Sequence, residues 1–347
     1  MSQTLRVAIL GNGYATRTFH APLVECTAGL SLDAISTRDP DKLAAERPAV
    51  RALPTPEAVF ADPDIDLVVV PTPNDTHFPL ARAALLAGKH VVVDKPFTLT
   101  VAEAQTLDAL AREQGRLLSV FHNRRWDADF LALREIFKEG LLGRITHFES
   151  HFDRYRPQVR ARWREAEGPG SGLWYDLGPH LLDQALQLFG EPERISLDLA
   201  RQREGALTDD WFHAVLHYGE CRVILHGSAL VAALGPRFAI HGTAGSLLKS
   251  GLDAQEDALK AGLAAGGPGW GVDPEPIRLT LQDGERLVPS LRNCPQGDYP
   301  AYYAAVRDAI LAGAPNPVPA IEAIRVMRLV EAGSESARLH AAVSIRE

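Results

Sequence analysis

The chain has 347 residues, 46% hydrophobic and 23% charged, with a net charge of −8 and a pI near 5.9. That composition is ordinary for a globular protein, and its acidity excludes the basic surface that a nucleic-acid or anionic-membrane binder needs. The length favours two domains.

Cys26, Cys221 and Cys294 are scattered and form no C-x-x-C pair, so neither a zinc site nor a disulfide framework is expected. No apolar run approaches the roughly 18–20 residues of a membrane span. The first strand starts at Leu5, which we read as leaving no room for a signal peptide. A cytoplasmic location is the resulting expectation.

Leu5 to Leu10 reads as a buried strand, followed by Gly11-Asn12-Gly13 and a helical stretch from Tyr14 to about Ala28. Strands follow at Leu30 to Ser36, Val50 to Leu53, Ile65 to Val70, His90 to Val93 and Leu117 to Phe121. Between them lie helices at Pro40 to Arg47, at His77 to Gly88 and from Thr100 to Gly115, the last with Glu103 completing a capping box. Strands alternating with helices over residues 5–122 mean βαβ units and a parallel sheet.

After Trp126 the rhythm changes. A helix from Ala128 to Glu139 leads to alternating strands at Ile145 to Asp153, Ile195 to Leu199, Trp211 to Tyr218, Arg222 to Ser228 and Arg237 to His241. Helices are expected at Asp176 to Phe189, Ala301 to Leu311 and Pro319 to His340, and a flexible loop at Ala261 to Gly271. The pattern predicts an α/β chain: a Rossmann-type domain over 1–122, then an α+β domain with a mostly antiparallel sheet over 123–347.

Gly11-Asn12-Gly13-Tyr14-Ala15-Thr16 is a G-x-G-x-x-small turn between strand and helix. The first glycine allows the tight turn and the second lets a pyrophosphate approach the backbone. The following helix offers unpaired N–H groups to that anion. Thr16 stands where the pattern often has a third glycine, whose role is helix–strand packing. The alternative reading is a plain tight turn.

The end of the second strand separates NAD from NADP. An NAD site places Asp or Glu there for the ribose 2′-hydroxyl; here the residues are Ser36-Thr37-Arg38, two hydroxyls and an arginine that suit a 2′-phosphate. The nearest acids are Asp33 inside the strand and Asp39 beyond the arginine. We therefore expect NADP; the bland alternative leaves Arg38 on a solvated loop. Thr72-Pro73-Asn74 and His77 follow the fourth strand, where an open α/β sheet binds its ligand. Asn74 could equally serve as a helix N-cap.

Asp94-Lys95-Pro96 closes the fifth strand, and a lysine there can act as an acid or base. Asp176, His180 and Asp183 stand at i, i+4 and i+7, on one face of a helix. A histidine titrates near neutrality and suits proton exchange with an alcohol or carbonyl oxygen. A surface Asp–His pair is the alternative. His122 to Trp126 follows the last parallel strand, and residues 154–164 hold five arginines, either a solvated face or a substrate-contacting loop.

Together these residues resemble the Gfo/Idh/MocA oxidoreductase family, whose [DE]-K-P and D-x-x-x-H motifs appear as Asp94-Lys95-Pro96 and Asp176-Leu177-Gly178-Pro179-His180. The resemblance spans essentially the whole chain. It implies that Lys95, Asp176 and His180 form the substrate-facing catalytic group, with Arg124 and Asp183 as further substrate contacts. It also implies cofactor contacts from Gly11, Gly13, Tyr14, Ala15, Ser36, Thr37, Arg38, Thr72, Pro73, Asn74, His77, Asp94 and Lys95.

Residues 122–130, 154–165, 175–190 and 251–262 are similar to the NADP-dependent scyllo-inositol 2-dehydrogenase subgroup of that family. The implied reaction is reversible oxidation of a ring secondary alcohol, scyllo-inositol to 2-keto-myo-inositol, without a metal. The family also implies a homo-oligomer. An NADPH-dependent aldose, ketose or anhydrosugar reductase stays open, as does a dinucleotide-binding regulator, although a regulator has no need for Lys95, Asp176 and His180 together.

Overall fold

A computed structural model describes residues 4–345. They form two compact units that are not contiguous in sequence. The first holds the described residues up to Trp126, together with Ala254–Gly271 and Asp298–Ile324. The second holds Asp127–Asp253, Val272–Gly297 and the described residues from Arg325 onward.

The first unit opens with β1 (Leu5–Leu10), whose side chains are buried on both faces apart from Arg6. A helical run follows and ends in α1 (Ala21–Glu25). Then come β2 (Leu30–Ser36), α2 (Pro40–Glu46), β3 (Arg51–Leu53), α3 (Pro56–Ala61), β4 (Leu67–Val70), α4 (Asn74–Leu86), β5 (His90–Val93), α5 (Val101–Glu113) and β6 (Leu118–Val120). All strand pairs are parallel, in the order β3-β2-β1-β4-β5-β6. The order reverses between β1 and β4, so loops after their carboxyl ends diverge and leave a crevice.

Local chemistry places the helix starts. Asp39 and Thr55 accept the amides of Lys42 and Ala58, each ahead of a proline at the first helical position. Thr100 and Glu103 form the expected capping box.

The second unit contributes α6 (Ala128–Glu139), β7 (Ile145–Asp153), α7 (Leu173–Phe189), β8 (Arg194–Ala200), β9 (Trp211–Tyr218), β10 (Cys221–Ser228), β11 (Phe238–Gly242) and β12 (Gly245–Lys249). The helix α8 (Gln255–Lys260) belongs to the first unit, and β13 (Ile277–Asp283) and β14 (Arg286–Arg292) return to the second. The chain closes with α9 (Pro300–Ala312), α10 (Ala320–Leu339) and β15 (Val343–Ser344).

The sheet order is β14-β13-β12-β11-β7-β10-β9-β8-β15. Its pairs are antiparallel except β7–β10 at the centre, which is parallel. The helix α7 packs against β9 and β10, with Trp174 edge-on to Phe212 at 5.3 Å.

Several elements extend the sequence reading. The helix α7 begins three residues before Asp176, and α3, α8, β12, β13, β14 and β15 had not been anticipated. Residues 261–271, expected as a loop, contain no helix or strand. No helix among the described residues is long and apolar enough to cross a membrane.

The second unit buries one carboxyl at a cost. Asp129 in the first turn of α6 is fully buried, and neither of its oxygens has a hydrogen-bond partner. Burial pushes its pKa up to about 6, against the pull of Arg237 and with Asp253 adding repulsion. A folded-state pKa above the unfolded value means that the native protein holds the extra proton. The penalty is absent below about pH 4 and fully present above about pH 6, amounting to at most about 3 kcal/mol. Asp129→Asn is therefore expected to raise the unfolding midpoint more at pH 8 than at pH 4.5. Equal shifts at both pH values, read by thermal denaturation, would refute this account.

Candidate functional site

At the carboxyl end of β1 the chain turns at Gly11, with φ +84°, a left-handed conformation that glycine adopts without strain. Its amide donates to the Ser36 carbonyl at 2.9 Å and to Ser36 Oγ at 3.1 Å, tying the ends of β1 and β2 together. Thr16, at the third motif position, is buried, and its hydroxyl donates back to the Gly11 carbonyl at 2.6 Å. Threonine thus closes the turn from the helix side by a hydrogen bond. A Cβ at Gly13 would meet nothing within 4 Å. That open space beside the backbone fits the close approach of a pyrophosphate.

The turn opens onto a cleft of about 730 Å³, lined by Gly11, Gly13, Ser36, Thr37, Arg38, Lys42 and Thr72 among others. Arg38 is exposed there and, among the described residues, has no carboxylate partner. The two acids nearest the strand end are engaged elsewhere. Asp33 pairs with Arg51, and Asp39 caps α2 by accepting the Lys42 amide at 3.1 Å. Asp39 and Glu57 share the cleft lining. The donor set can hold the ribose end of a dinucleotide.

On the other side of β1, Asn74 is the first residue of α4 and Pro73 holds the cap position, so Asn74 does not act as the N-cap. His77 is fully buried, with Nδ1 2.8 Å from the Pro96 carbonyl and Nε2 2.9 Å from the Thr72 carbonyl. Burial lowers its pKa, which favours a neutral ring that donates to only one of these carbonyls at a time. His77 therefore clamps the loops after β4 and β5 to each other from behind.

Asp94 accepts the amide of Lys95 at 2.8 Å and lies 3.5 Å from His20 Nε2. The opposite His20 nitrogen is 2.7 Å from the Tyr303 hydroxyl of α9. Burial alone would raise the Asp94 pKa, but the contact with His20 and the charge of Lys95 outweigh it and hold the carboxyl at about 2. Asp94 is thus an anion over the whole neutral range, with its loop fixed by its own side chain. Neither His20 nor Tyr303 was marked by the sequence reading. His20 lies close behind the glycine turn, but nothing local ties it to Tyr303, 283 residues away.

Arg124 is buried and donates to Glu256 of α8 at 2.9 Å. Glu256 also receives the Tyr14 hydroxyl at 3.3 Å and Lys260 Nζ at 2.9 Å. The cofactor candidate Tyr14 and the substrate candidate Arg124 therefore meet on one acid that had not been singled out. Burial and Glu256 both raise the Tyr14 pKa, so its hydroxyl stays protonated.

In the second unit, Gly172 with φ +95° lets Asp209 approach the start of α7 and accept the Trp174 amide at 2.7 Å. A Cβ at Gly172 would lie 2.0 Å from Asp209 Oδ1, so this cap requires glycine. Asp176 then sits in the first turn, while His180 and Asp183 are buried on the same face. His180 stacks on Phe152 of β7, with ring centres 6.5 Å apart.

The arginine-rich segment is not a uniformly solvated face. Arg162 pairs with buried Glu165 at 2.6 Å, and Arg164 reaches Asp176 at 3.4 Å. Arg203 adds contacts to Glu165 at 3.0 Å and to Asp210 at 2.9 Å.

Residues 5–122 match the family model described as "Oxidoreductase family, NAD-binding Rossmann fold", and residues 134–345 match "Oxidoreductase family, C-terminal alpha/beta domain". The chain belongs to the Gfo/Idh/MocA oxidoreductase family. The chain is 55% identical to the uncharacterized oxidoreductase YdgJ of Escherichia coli, over 99% of this chain and 100% of that protein. It is 42% identical to the scyllo-inositol 2-dehydrogenase (NADP(+)) IolW of Bacillus subtilis, over 96% and 94% of the two chains. The solved structure of the oxidoreductase YPO2259 of Yersinia pestis superposes with a TM-score of 0.96 at 53% identity, covering 100% of this chain and 99% of the other. The Gfo/Idh/MocA architecture, a Rossmann domain followed by an α/β domain with a mostly antiparallel sheet, is the one found here.

Proposed function

We propose that this protein is an NADP(H)-dependent dehydrogenase that interconverts a cyclic polyol and its ketone, namely scyllo-inositol and 2-keto-myo-inositol. The observation that carries this reading is the 42% identity, over nearly the full length of both chains, to a B. subtilis protein named for that activity and that cofactor. The strand end Ser36-Thr37-Arg38 supports NADP, since both neighbouring acids are tied to other partners.

NADP, when bound, supplies the hydride acceptor. Gly11 and Gly13, with Tyr14 and Ala15 beside them, would receive the pyrophosphate, Arg38 would receive the 2′-phosphate, and Thr72, Pro73 and Asn74 would line the nicotinamide side. Lys95 and His180 handle the proton that leaves the reacting hydroxyl, one holding it and the other passing it on. Asp176 and Asp183 accept hydrogen bonds from neighbouring ring hydroxyls, and Glu256 holds Arg124 in position for substrate. Asp94, ionised and anchored by His20, keeps the Lys95 backbone in place.

An NADP-linked absorbance screen over inositol isomers, inososes and common sugars tests the substrate. scyllo-Inositol is expected to show a higher kcat/KM than glucose or xylose. An equal or higher value for an aldose would replace this reading with a sugar reductase. Dinucleotide binding without turnover of any of these compounds would favour a regulator.

A further inference from the structure

The sheet of the second unit carries a histidine-rich face that the proposed hydride transfer does not use. Strand alternation puts His147, Glu149, His151 and Asp153 of β7 on one side, while Phe148, Ser150 and Phe152 are buried on the other. His226 of β10 is in register with His151 across the parallel pair and with His213 of β9 across the antiparallel pair. Three histidines therefore stand in a row across three strands, with ring centres 5.2 and 5.5 Å apart.

Asp153 lies beneath two of them. Its Oδ2 is 3.3 Å from His151 Nδ1 and its Oδ1 is 3.6 Å from His226 Nε2. The Asp153 side chain is only 8% exposed, and Oδ1 is buried without a hydrogen-bond partner. One ligand atom from each of His151, Asp153 and His226 falls within 4.8 Å of the others. A tetrahedral ion at about 2.0–2.2 Å from each ligand needs donor atoms roughly 3.4 Å apart, close to the 3.3 and 3.6 Å that separate the two histidine nitrogens from Asp153.

The outer ring nitrogens agree with this. Glu149 Oε2 is 3.1 Å from His151 Nε2, and the other carboxylate oxygen takes His147 Nε2 at 2.7 Å. A carboxylate accepting the proton on Nε2 leaves the Nδ1 lone pair of His151 facing Asp153. His213 Nδ1 is 3.4 Å from His226 Nδ1. If His226 donates there, its Nε2 lone pair faces the same point. Orientation of a ligating histidine through its second nitrogen is the usual support of a metal site.

We propose that His151, Asp153 and His226 bind one divalent transition-metal ion of the zinc class, with Glu149 as the positioning residue for His151. Two imidazoles and one carboxylate match the preference of such an ion, and the bound ion would join β7 to β10. Three protein ligands leave one position for water.

The test uses the full-length protein, stripped with a chelator and titrated with Zn²⁺ against a chromophoric competitor, with thermal unfolding measured alongside. One equivalent per chain is expected, with a rise in Tm on addition of zinc. Asp153→Asn and His226→Gln are expected to weaken binding by more than tenfold and to abolish the rise. Glu149→Gln should weaken it by about 10- to 100-fold while leaving the stoichiometry at one. Should His226→Gln fail to fold, Asp153→Asn and Glu149→Gln carry the test. No saturable uptake by the unmodified protein would overturn the assignment. So would uptake that persists undiminished in Asp153→Asn and Glu149→Gln, because the ion would then sit elsewhere.

Discussion

Replacing Lys95 with methionine is expected to leave NADPH binding intact and to lower kcat by about 10²- to 10⁴-fold, the usual range for loss of a positioned acid or base. The substitution keeps the unbranched stem and removes the ammonium group. The loop itself should hold, because its anchors are the Lys95 amide on Asp94, the Asp94 carboxylate on His20 and the Pro96 carbonyl on His77. None of these three contacts is made by the ammonium atoms themselves. A merely structural lysine would therefore lose dinucleotide affinity or stability along with rate, whereas a proton-transfer group loses rate alone. NADPH fluorescence titration gives the first quantity and steady-state kinetics the second. Retention of more than about a third of kcat would place Lys95 outside the chemistry. His180→Ala is expected to show a comparable loss of kcat with dinucleotide binding retained.

Arg38→Ala is expected to raise KM for NADP by about tenfold or more, to leave NAD nearly unchanged and to alter kcat little. A charge-assisted hydrogen bond to a 2′-phosphate is worth roughly 1.5–3 kcal/mol, or about 10- to 150-fold in binding. Arg38 is exposed, so solvent screening places the effect toward the lower end. The interaction is the same in ground and transition states, which is why kcat should be spared. Ser36 is buried and already accepts the Gly11 amide. Its substitution by Asp would therefore disturb the turn as well as offer the ribose an acceptor, and Arg38 is the cleaner probe. The deciding numbers are kcat/KM for both cofactors on the unmodified protein and on Arg38→Ala. Equal use of NAD and NADP before substitution, or an unchanged ratio after it, would refute this account of the strand end.

What could be read from the sequence was local in origin. A strand of β-branched and apolar residues ending at Gly11, a proline following Asp94-Lys95, and the i, i+4, i+7 spacing of Asp176, His180 and Asp183 each depend on a few adjacent residues. Backbone geometry turns such spacing directly into position. The capping box at Thr100 and Glu103 was legible for the same reason.

Three of the elements that escaped have a plain physical reason. The strand β14 is exposed along almost its whole length, so it lacks the alternation that marks a half-buried strand. The short helices α3 and α8 have too few turns to show a period. Other features needed the folded chain. Residues 254–271 and 298–324 join the first unit although they follow the second unit's central strands. Only that return brings Glu256 to Arg124 and Tyr14, 132 and 242 residues away, and Tyr303 to His20. The histidine row on β7, β9 and β10 likewise depends on register between strands, which no single segment encodes. The sequence by itself marked Gly11, Gly13 and Ser36-Thr37-Arg38 as candidates for dinucleotide contact, and Lys95 and His180 as candidates for proton transfer. Tertiary structure decided which partners Asp33 and Asp39 take and which histidines meet, because a buried charge or ring takes its state from partners that only chain closure supplies.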